Sequence, residues 1–450
     1  ACSQPPLAGR PLDAVREFRA ALDRLGEAKA PEIKAVMGMI SKTKTPEPLE
    51  KGILRAKHEI FVFKDGTTRY DMTNLPLTHF TPREAGIGVD LLRRLGYAHD
   101  INGADLREGD QVLELRTQDI LIADAGADYL LKVAAFVDDL LEKYYGLPRF
   151  YNARSAQDLL GQLVVTLAPH TSGGVLARIV GFTKAQACFA HPYLIAARRR
   201  NCDGDEDSLI LLLDSLLNFS RSFLPDKRGG LMDAPLVLTT RIDPNEIDKE
   251  AHNLDLMPAY PVAFYDAAER FAHPKEVEPA IDTVSKRIGT VLQYGGFGYT
   301  HETSDIAAGP LASAYGEGSM VEKIDKQLDL ALKIRAVDPN DVVARIVVHH
   351  FLPDLIGNLK AFSSQQVRCT KCGEKFRRVP LRGKCLACGG NLTLTVHESS
   401  VKKYLEISKK ISSQFEVSNY LRQRIDLIED AITSLFTNDK TQDLKLDDFF

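Results

Sequence analysis

Two clusters in the 450-residue chain carry residue types at spacings that can do chemistry. The first is Arg198-Arg-Arg-Asn-Cys-Asp-Gly-Asp-Glu-Asp207, where Asp203, Asp205 and Asp207 alternate with other residues behind Arg198, Arg199 and Arg200. If 203–207 is extended, alternate side chains share a face and the three carboxylates converge. Gly204 lets the backbone turn tightly against a ligand. Carboxylate oxygens gathered without histidine or cysteine suit a hard ion such as Mg²⁺, and cations beside them suit a phosphate substrate. The same residues also fit a solvated acidic loop or a helix N-terminus, where acids complement the dipole. A calcium loop fits less well, because Ser208 stands where such a loop needs glycine.

The second cluster is Cys369-x₂-Cys372-x₁₂-Cys385-x₂-Cys388. Each pair is a short knuckle, and the hairpin between them predicts one tetrahedral Cys₄ zinc site. With four protein ligands no position is open to substrate, so the zinc is structural and contributes folding energy. Gly373 and Gly389 permit the turn after each second cysteine. Lys371, Lys375, Arg377, Arg378, Arg382 and Lys384 decorate this ribbon, which fits either a nucleic-acid contact or an ordinary solvated surface. Cys2, Cys188 and Cys202 lie too far away in sequence to be assigned to it.

The elements that position these clusters follow from periodicity and turn signals. The chain is 44% apolar and 26% charged with a net charge of −4, a globular composition with room for two to four domains. The net charge argues against wholesale wrapping by nucleic acid but not against a local basic channel. Cysteines concentrated in one motif point to a reducing compartment and a metal. No apolar run approaches the ~20 residues of a membrane span. The chain opens on Ala1 rather than methionine, which reads as a fragment or a processed product.

Residues 10–29 read as an amphipathic helix, 57–70 as a hairpin turning at Asp65-Gly66, 82–95 and 125–145 as helices, and 163–167 as a strand. Residues 207–224 read as a helix, 234–240 as a buried strand, 262–292 as mostly helical, and 319–336 and 341–359 as helices, the last interrupted near Pro353. Two helices follow near 400–413 and 418–436, and no internal repeat is visible. His170, Lys184 and His191 can line a site or serve as structural hydrogen-bonders. The loop carrying Lys227 and Arg228 can contact a phosphate backbone or merely turn. In the tail, Leu446, Phe449 and Phe450 have the spacing of a one-turn apolar plug for a partner's pocket.

At Asn201-Cys-Asp-Gly-Asp-Glu-Asp207 the chain resembles the large subunit of the archaeal family-D replicative DNA polymerase, specifically its carboxy-terminal portion. Lys44–Lys57, Leu167-Ala-Pro-His-Thr-Ser172, Lys227-Arg-Gly-Gly230, Met232–Thr240 and the ribbon at 369–388 carry the same resemblance, which runs from about residue 35 onward. It implies a mixed α+β fold with a double-psi β-barrel catalytic core, helical accessory segments and a C-terminal zinc ribbon. The implied division is an N-terminal segment at 1–50, the barrel at 51–260, helices at 261–362, the ribbon at 363–398, helices at 399–436 and a tail at 437–450.

The implied activity is DNA-templated DNA synthesis by two-metal nucleotidyl transfer within a heteromeric polymerase. Asp203 and Asp205 match the catalytic Mg²⁺-binding aspartates, and Asp207 the third acidic position. Cys369, Cys372, Cys385 and Cys388 match a structural Zn²⁺ site. Arg198, Arg199, Arg200, Lys227, Arg228, His170 and Lys184 are the candidates for phosphate or nucleic-acid contact. The implied partners are primer-template DNA, dNTPs, a small proofreading-exonuclease subunit and a sliding clamp bound through Leu446, Phe449 and Phe450. The tail departs from a clamp-binding peptide at its first position, where Asp443 replaces glutamine. The family's large subunit is longer, and its other part supplies a second barrel with catalytic lysines. The implied location is cytoplasmic, at the nucleoid. An RNA polymerase-type nucleotidyltransferase and a non-catalytic scaffold are the competing readings.

Overall fold

The computed structural model describes residues 13–36, 47–169, 171–220, 236–298, 305–309, 311 and 318–437. The chain forms two compact units, residues 1–313 and 314–450, so the division falls inside the span 261–362.

The first unit is built on a closed barrel. Its strands are β1 Tyr70–Pro76, β2 Asp119–Ala123, β3 Leu163–Leu167, β4 Gly173–Thr183, β5 Ala187–Ala190 and β6 Glu206–Leu211. Around the ring the order is β2-β5-β1-β6-β3-β4, and β4 pairs with β2 to close it. The pairs β1–β5 and β2–β4 are parallel, and the other four are antiparallel. Moving three strands along the chain maps this ring onto itself, with parallel pairs falling on parallel pairs. Helices obey the same relation: α3 Asp124–Asp139 follows β2, and α4 Pro192–Ala197 follows β5. Each half is therefore strand, strand, helix, strand, and the halves interlock as a double-psi barrel. The repeat invisible in the sequence exists in topology, because packing constrains apolar pattern rather than residue identity.

The strands are apolar on both faces where helices cover the barrel. All five residues of β2 are buried, as expected of a strand sealed on both sides. Two further helices pack on this body: α1 Ala14–Leu25, capped by the Asp13 side chain, and α2 Leu49–Lys57. A third, α5 Leu212–Asn218, leaves β6 directly. The expected helix over 207–224 is thus wrong in its first turn and a half. Leu209-Ile-Leu211 lie in β6 between β1 and β3, and a short apolar run cannot show by period which state it takes.

Other expectations need the same correction. The turn at Asp65-Gly66 forms, with Phe63 N–H donating to Thr67 O at 2.8 Å, but its arms are irregular and the strand begins only at Tyr70. In the 82–95 stretch only Val89–Arg94 is helical. The strand inside 234–240, β7 Val237–Thr239, adds parallel to β4 at the barrel's margin and is mostly exposed rather than buried. Between 262 and 292, the helices Val262–Glu269 and Val284–Arg287 flank two short 3₁₀ turns.

The second unit is helical with a zinc ribbon. Met320–Lys333 starts in a Ser319/Glu322 capping box. Pro339–Ile346 and Leu352–Ser364 are joined by the π-helical turn Val347–Phe351, just ahead of Pro353. This stretch, Pro339–Ser364, does reach the length and hydropathy of a membrane span, contrary to the count of apolar runs above. Val347, Phe351, Leu352 and Leu355 pack in the unit's own core with Val401, Ile411 and Ile425. Leu405–Gln414 and Asn419–Phe436 complete it.

Candidate functional site

The aspartate cluster lies in the connection from α4 to β6. Residues 202–204 form a turn, with Gly204 at φ +101°, a value only glycine adopts without strain. The segment is not extended through 203–207, so the three carboxylates do not share one face. Asp203 is exposed and makes no hydrogen bond or ion pair among the described residues. The Asp205 side chain is 41% exposed, with Arg200 Nη1 at 3.9 Å and Asn201 N–H donating to it at 3.3 Å. The turn is stitched to the barrel by Asn74 N–H donating to Asp205 O at 2.8 Å, one step beyond the Thr73–Glu206 pair of β1 and β6.

Asp207 is different in kind. It lies on β6 opposite buried Met72, fully enclosed. Arg198 Nη2 stands 2.8 Å from its carboxylate, and both side chains are sealed from solvent. The same Nη2 donates to Asn74 Oδ1 at 3.1 Å. The pair is close but poorly aligned, since neither Asp207 oxygen accepts a hydrogen bond among the described residues. Burial pushes the Asp207 carboxyl up to about 6, against the opposing pull of Arg198 and Arg200. Asp207 and Arg198 are therefore anchors of the turn from inside the barrel. The buried Arg198 guanidinium is turned to Asp207 and Asn74 instead of lying on a phosphate-facing surface.

The other cations divide by exposure. Arg199 is exposed and adopts φ +58°, and Arg200 is half-buried. They line a groove of about 520 Å³ with Ala168, Thr171, Gly173, Gly174, Val175, Ala197, Arg198, Val237 and Thr239, although the Arg198 side chain is itself sealed from solvent. Lys184 is exposed in the bend between β4 and β5. His191 is fully buried; its Nδ1 accepts from Tyr193 N–H at 3.1 Å to cap α4, and burial pushes its pKa down to about 3. It is a structural cap. His170, Lys227, Arg228, Leu446, Phe449 and Phe450 lie outside the described residues.

A buried charge network fixes the barrel wall, and sequence reasoning missed it. Arg55 and Glu47 pair at 2.6 Å with both side chains sealed, and Arg55 also donates to Gly66 O at 2.9 Å. Asp214 on α5 accepts from Thr68 N–H and from Asn218 Nδ2, both at 2.7 Å, and burial raises its carboxyl to about 6. Lys51 donates to Asn218 Oδ1 at 2.8 Å, and burial lowers its pKa. These contacts clamp the Asp65-Gly66 turn between α2 and α5. The available signal was Lys51 and Arg55, four residues apart on one face of a helix that also carries Ile53 and Leu54.

In the second unit the ligand atoms of Cys369, Cys372, Cys385 and Cys388 all lie within 4.8 Å of one another. Sγ separations are 3.5 Å for Cys369–Cys388 and for Cys372–Cys385, near the ~3.8 Å edge of a tetrahedron with Zn–S of about 2.3 Å. The knuckles match: Gly373 N–H donates to Cys369 O at 3.1 Å and Gly389 N–H to Cys385 O at 2.9 Å, with both glycines at positive φ. Backbone N–H groups of Cys372 and Lys371 hold the Cys369 thiol down to about 6. The arrangement supports structural Zn²⁺. Among the described residues the three aspartates do not form a comparable group.

These two features coincide with known families. The sequence model described as "DNA polymerase II large subunit DP2, catalytic domain" matches residues 26–323, so the chain belongs to that catalytic-domain family. The ribbon and the helices after it, residues 363–421, match the zinc finger domain of DNA polymerase-epsilon. Among curated relatives, the DNA polymerase II large subunit of Methanocella arvoryzae is 58% identical over 100% of this chain and 40% of its own length. Those of Methanococcoides burtonii and Archaeoglobus fulgidus are 55% and 54% identical, each over 98% of this chain and 39% of theirs. The chain thus spans about two fifths of the relatives it matches.

Proposed function

We propose that the chain is the carboxy-terminal portion of the large subunit of an archaeal family-D replicative DNA polymerase, and that it bears the metal-binding half of the active site. The observation that carries this is the Asp203-Gly-Asp205 turn. It stands at the barrel's surface with two carboxylates exposed or half-exposed, and buried Asp207, Arg198 and Asn74 hold it from behind. An all-oxygen donor set with free carboxylate oxygens fits Mg²⁺. Bound there, Mg²⁺ supplies the charge neutralisation that two-metal nucleotidyl transfer requires. Asp203 and Asp205 are the ligands, and Asp207 is a positioning residue. Arg199, Arg200 and Lys184 are exposed enough to meet phosphates of primer-template DNA or a dNTP, as Lys227, Arg228 and His170 are proposed to do on sequence grounds.

The remaining residues of the large subunit, a small exonuclease subunit and a sliding clamp engaged by Leu446, Phe449 and Phe450 complete the proposed assembly. Replacing Asp203 or Asp205 by Asn in the assembled polymerase abolishes primer extension and leaves primer-template binding intact. Normal extension by both variants refutes the assignment, and incorporation of NTPs in preference to dNTPs would shift it to an RNA polymerase.

A further inference from the structure

The zinc ribbon has a charge arrangement that its own fold does not explain. Its strands are β8 Val367–Cys369, β9 Lys375–Phe376 and β10 Leu392–Thr393, with β8 in the middle. Arg368 alternates with buried Val367 and Cys369 and so points outward. Its direct partner across β9 is Lys375. Like charges in register on one face repel, yet Glu374 is the one acidic residue between 367 and 393. Lys371, Arg377, Arg378, Arg382 and Lys384 join these two, all seven exposed. None of the seven makes an ion pair among the described residues. Four cations elsewhere in the same unit have an acid within reach: Arg345 pairs with Asp341, Lys402 with Glu398, Lys409 with Glu429 and Lys410 with Asp325. A zinc tetrathiolate carries two negative charges, too few to neutralise seven cations.

We infer that the outer face of this ribbon is a second nucleic-acid contact, separate from the aspartate turn. It takes the phosphate backbone of a duplex without reading sequence. Four of the seven cations are arginines, which bind phosphate bidentately, and the zinc holds their strands rigid, so little order is lost on binding. The whole chain is net negative, so this basicity is local. The inference shares with the proposed function only the premise that nucleic acid is the substrate.

The test is the triple variant Arg368→Gln/Lys375→Gln/Arg378→Gln in the assembled polymerase, measured by anisotropy with labelled duplex DNA across a salt series. All three side chains are exposed, and zinc content per chain checks that the ribbon is intact. The expected result is at least a tenfold loss of duplex affinity at about 0.1 M salt, with the slope of log K against log salt shallower by about 2–3. Unchanged affinity and slope overturn the inference. So does unchanged DNA binding with loss of the small subunit, which would make the face a site for an acidic protein. Asp203→Asn run in parallel separates the two claims: it should lose extension while keeping the ribbon-dependent salt slope.

Discussion

Replacing Arg198 by Met tests whether the acidic turn is held by a buried ion pair. Both side chains are fully enclosed and 2.8 Å apart, so neither charge can be hydrated when its partner goes. Removing one member of such a pair costs about 3–5 kcal/mol. The Asp207 carboxyl, already lifted to about 6 with Arg198 present, rises further and protonates. Asp207→Leu strands the guanidinium, with Asn74 Oδ1 as its remaining acceptor, and costs a similar amount. The double variant Arg198→Met/Asp207→Leu removes both charges and both desolvation penalties. It should be less destabilised than either single variant, which makes the coupling larger than either single cost, about 3 kcal/mol or more. Urea unfolding of the four chains gives the cycle. Additive single effects would refute the reasoning, since they would mean that the two side chains do not share one buried environment.

Two further outcomes follow from the backbone and from burial. Gly204→Ala meets no steric wall, its nearest neighbour being Thr73 Cγ2 at 3.8 Å, but at φ +101° it stores about 1–3 kcal/mol of strain. The turn should shift off Asn74 and extension in the assembled polymerase should fall at least tenfold; a wild-type rate contradicts this. Asp214 is raised by burial to about 6 from the usual 3.8, so between those values the folded chain holds a proton that the unfolded chain has released. Its contribution to stability therefore falls as pH rises from about 4 to about 6, by about 3 kcal/mol. Asp214→Asn keeps an acceptor for Thr68 N–H and should flatten that part of the curve, which denaturant midpoints at pH 4 and 6.5 will show.

Local patterns exposed some of this molecule and hid the rest. The zinc ribbon was legible because thiolate pairs at fixed spacing have few alternative uses. The strand 163–167 and the helices starting near 320 and 419 were legible from the spacing of their apolar residues. The barrel was not legible from pattern, because closure depends on pairings such as β1 with β5 and β2 with β4, far apart in the chain; the family resemblance supplied it. The spacing of the aspartates marked them as candidates but did not show how the fold places each one. Alternation predicted three equivalent carboxylates, whereas the positive φ at Gly204 breaks the alternation and sends Asp207 inward to Arg198. The same burial turned Arg198 from a candidate phosphate contact into an anchor. Lys51, Arg55 and Asp214 escaped notice because charges are read as surface unless their partners, distant in sequence, are known.

The central claim is that Asp203 and Asp205 hold the catalytic metal and Asp207 holds the turn. Electron paramagnetic resonance of Mn²⁺ bound to the assembled polymerase with primer-template and a non-hydrolysable dNTP tests it directly. The account predicts that Asp203→Asn and Asp205→Asn each weaken Mn²⁺ binding at least tenfold, while Asp207→Asn, in whatever fraction stays folded, binds as the unaltered chain does. Loss of Mn²⁺ in folded Asp207→Asn, or its retention in Asp203→Asn, would contradict the account.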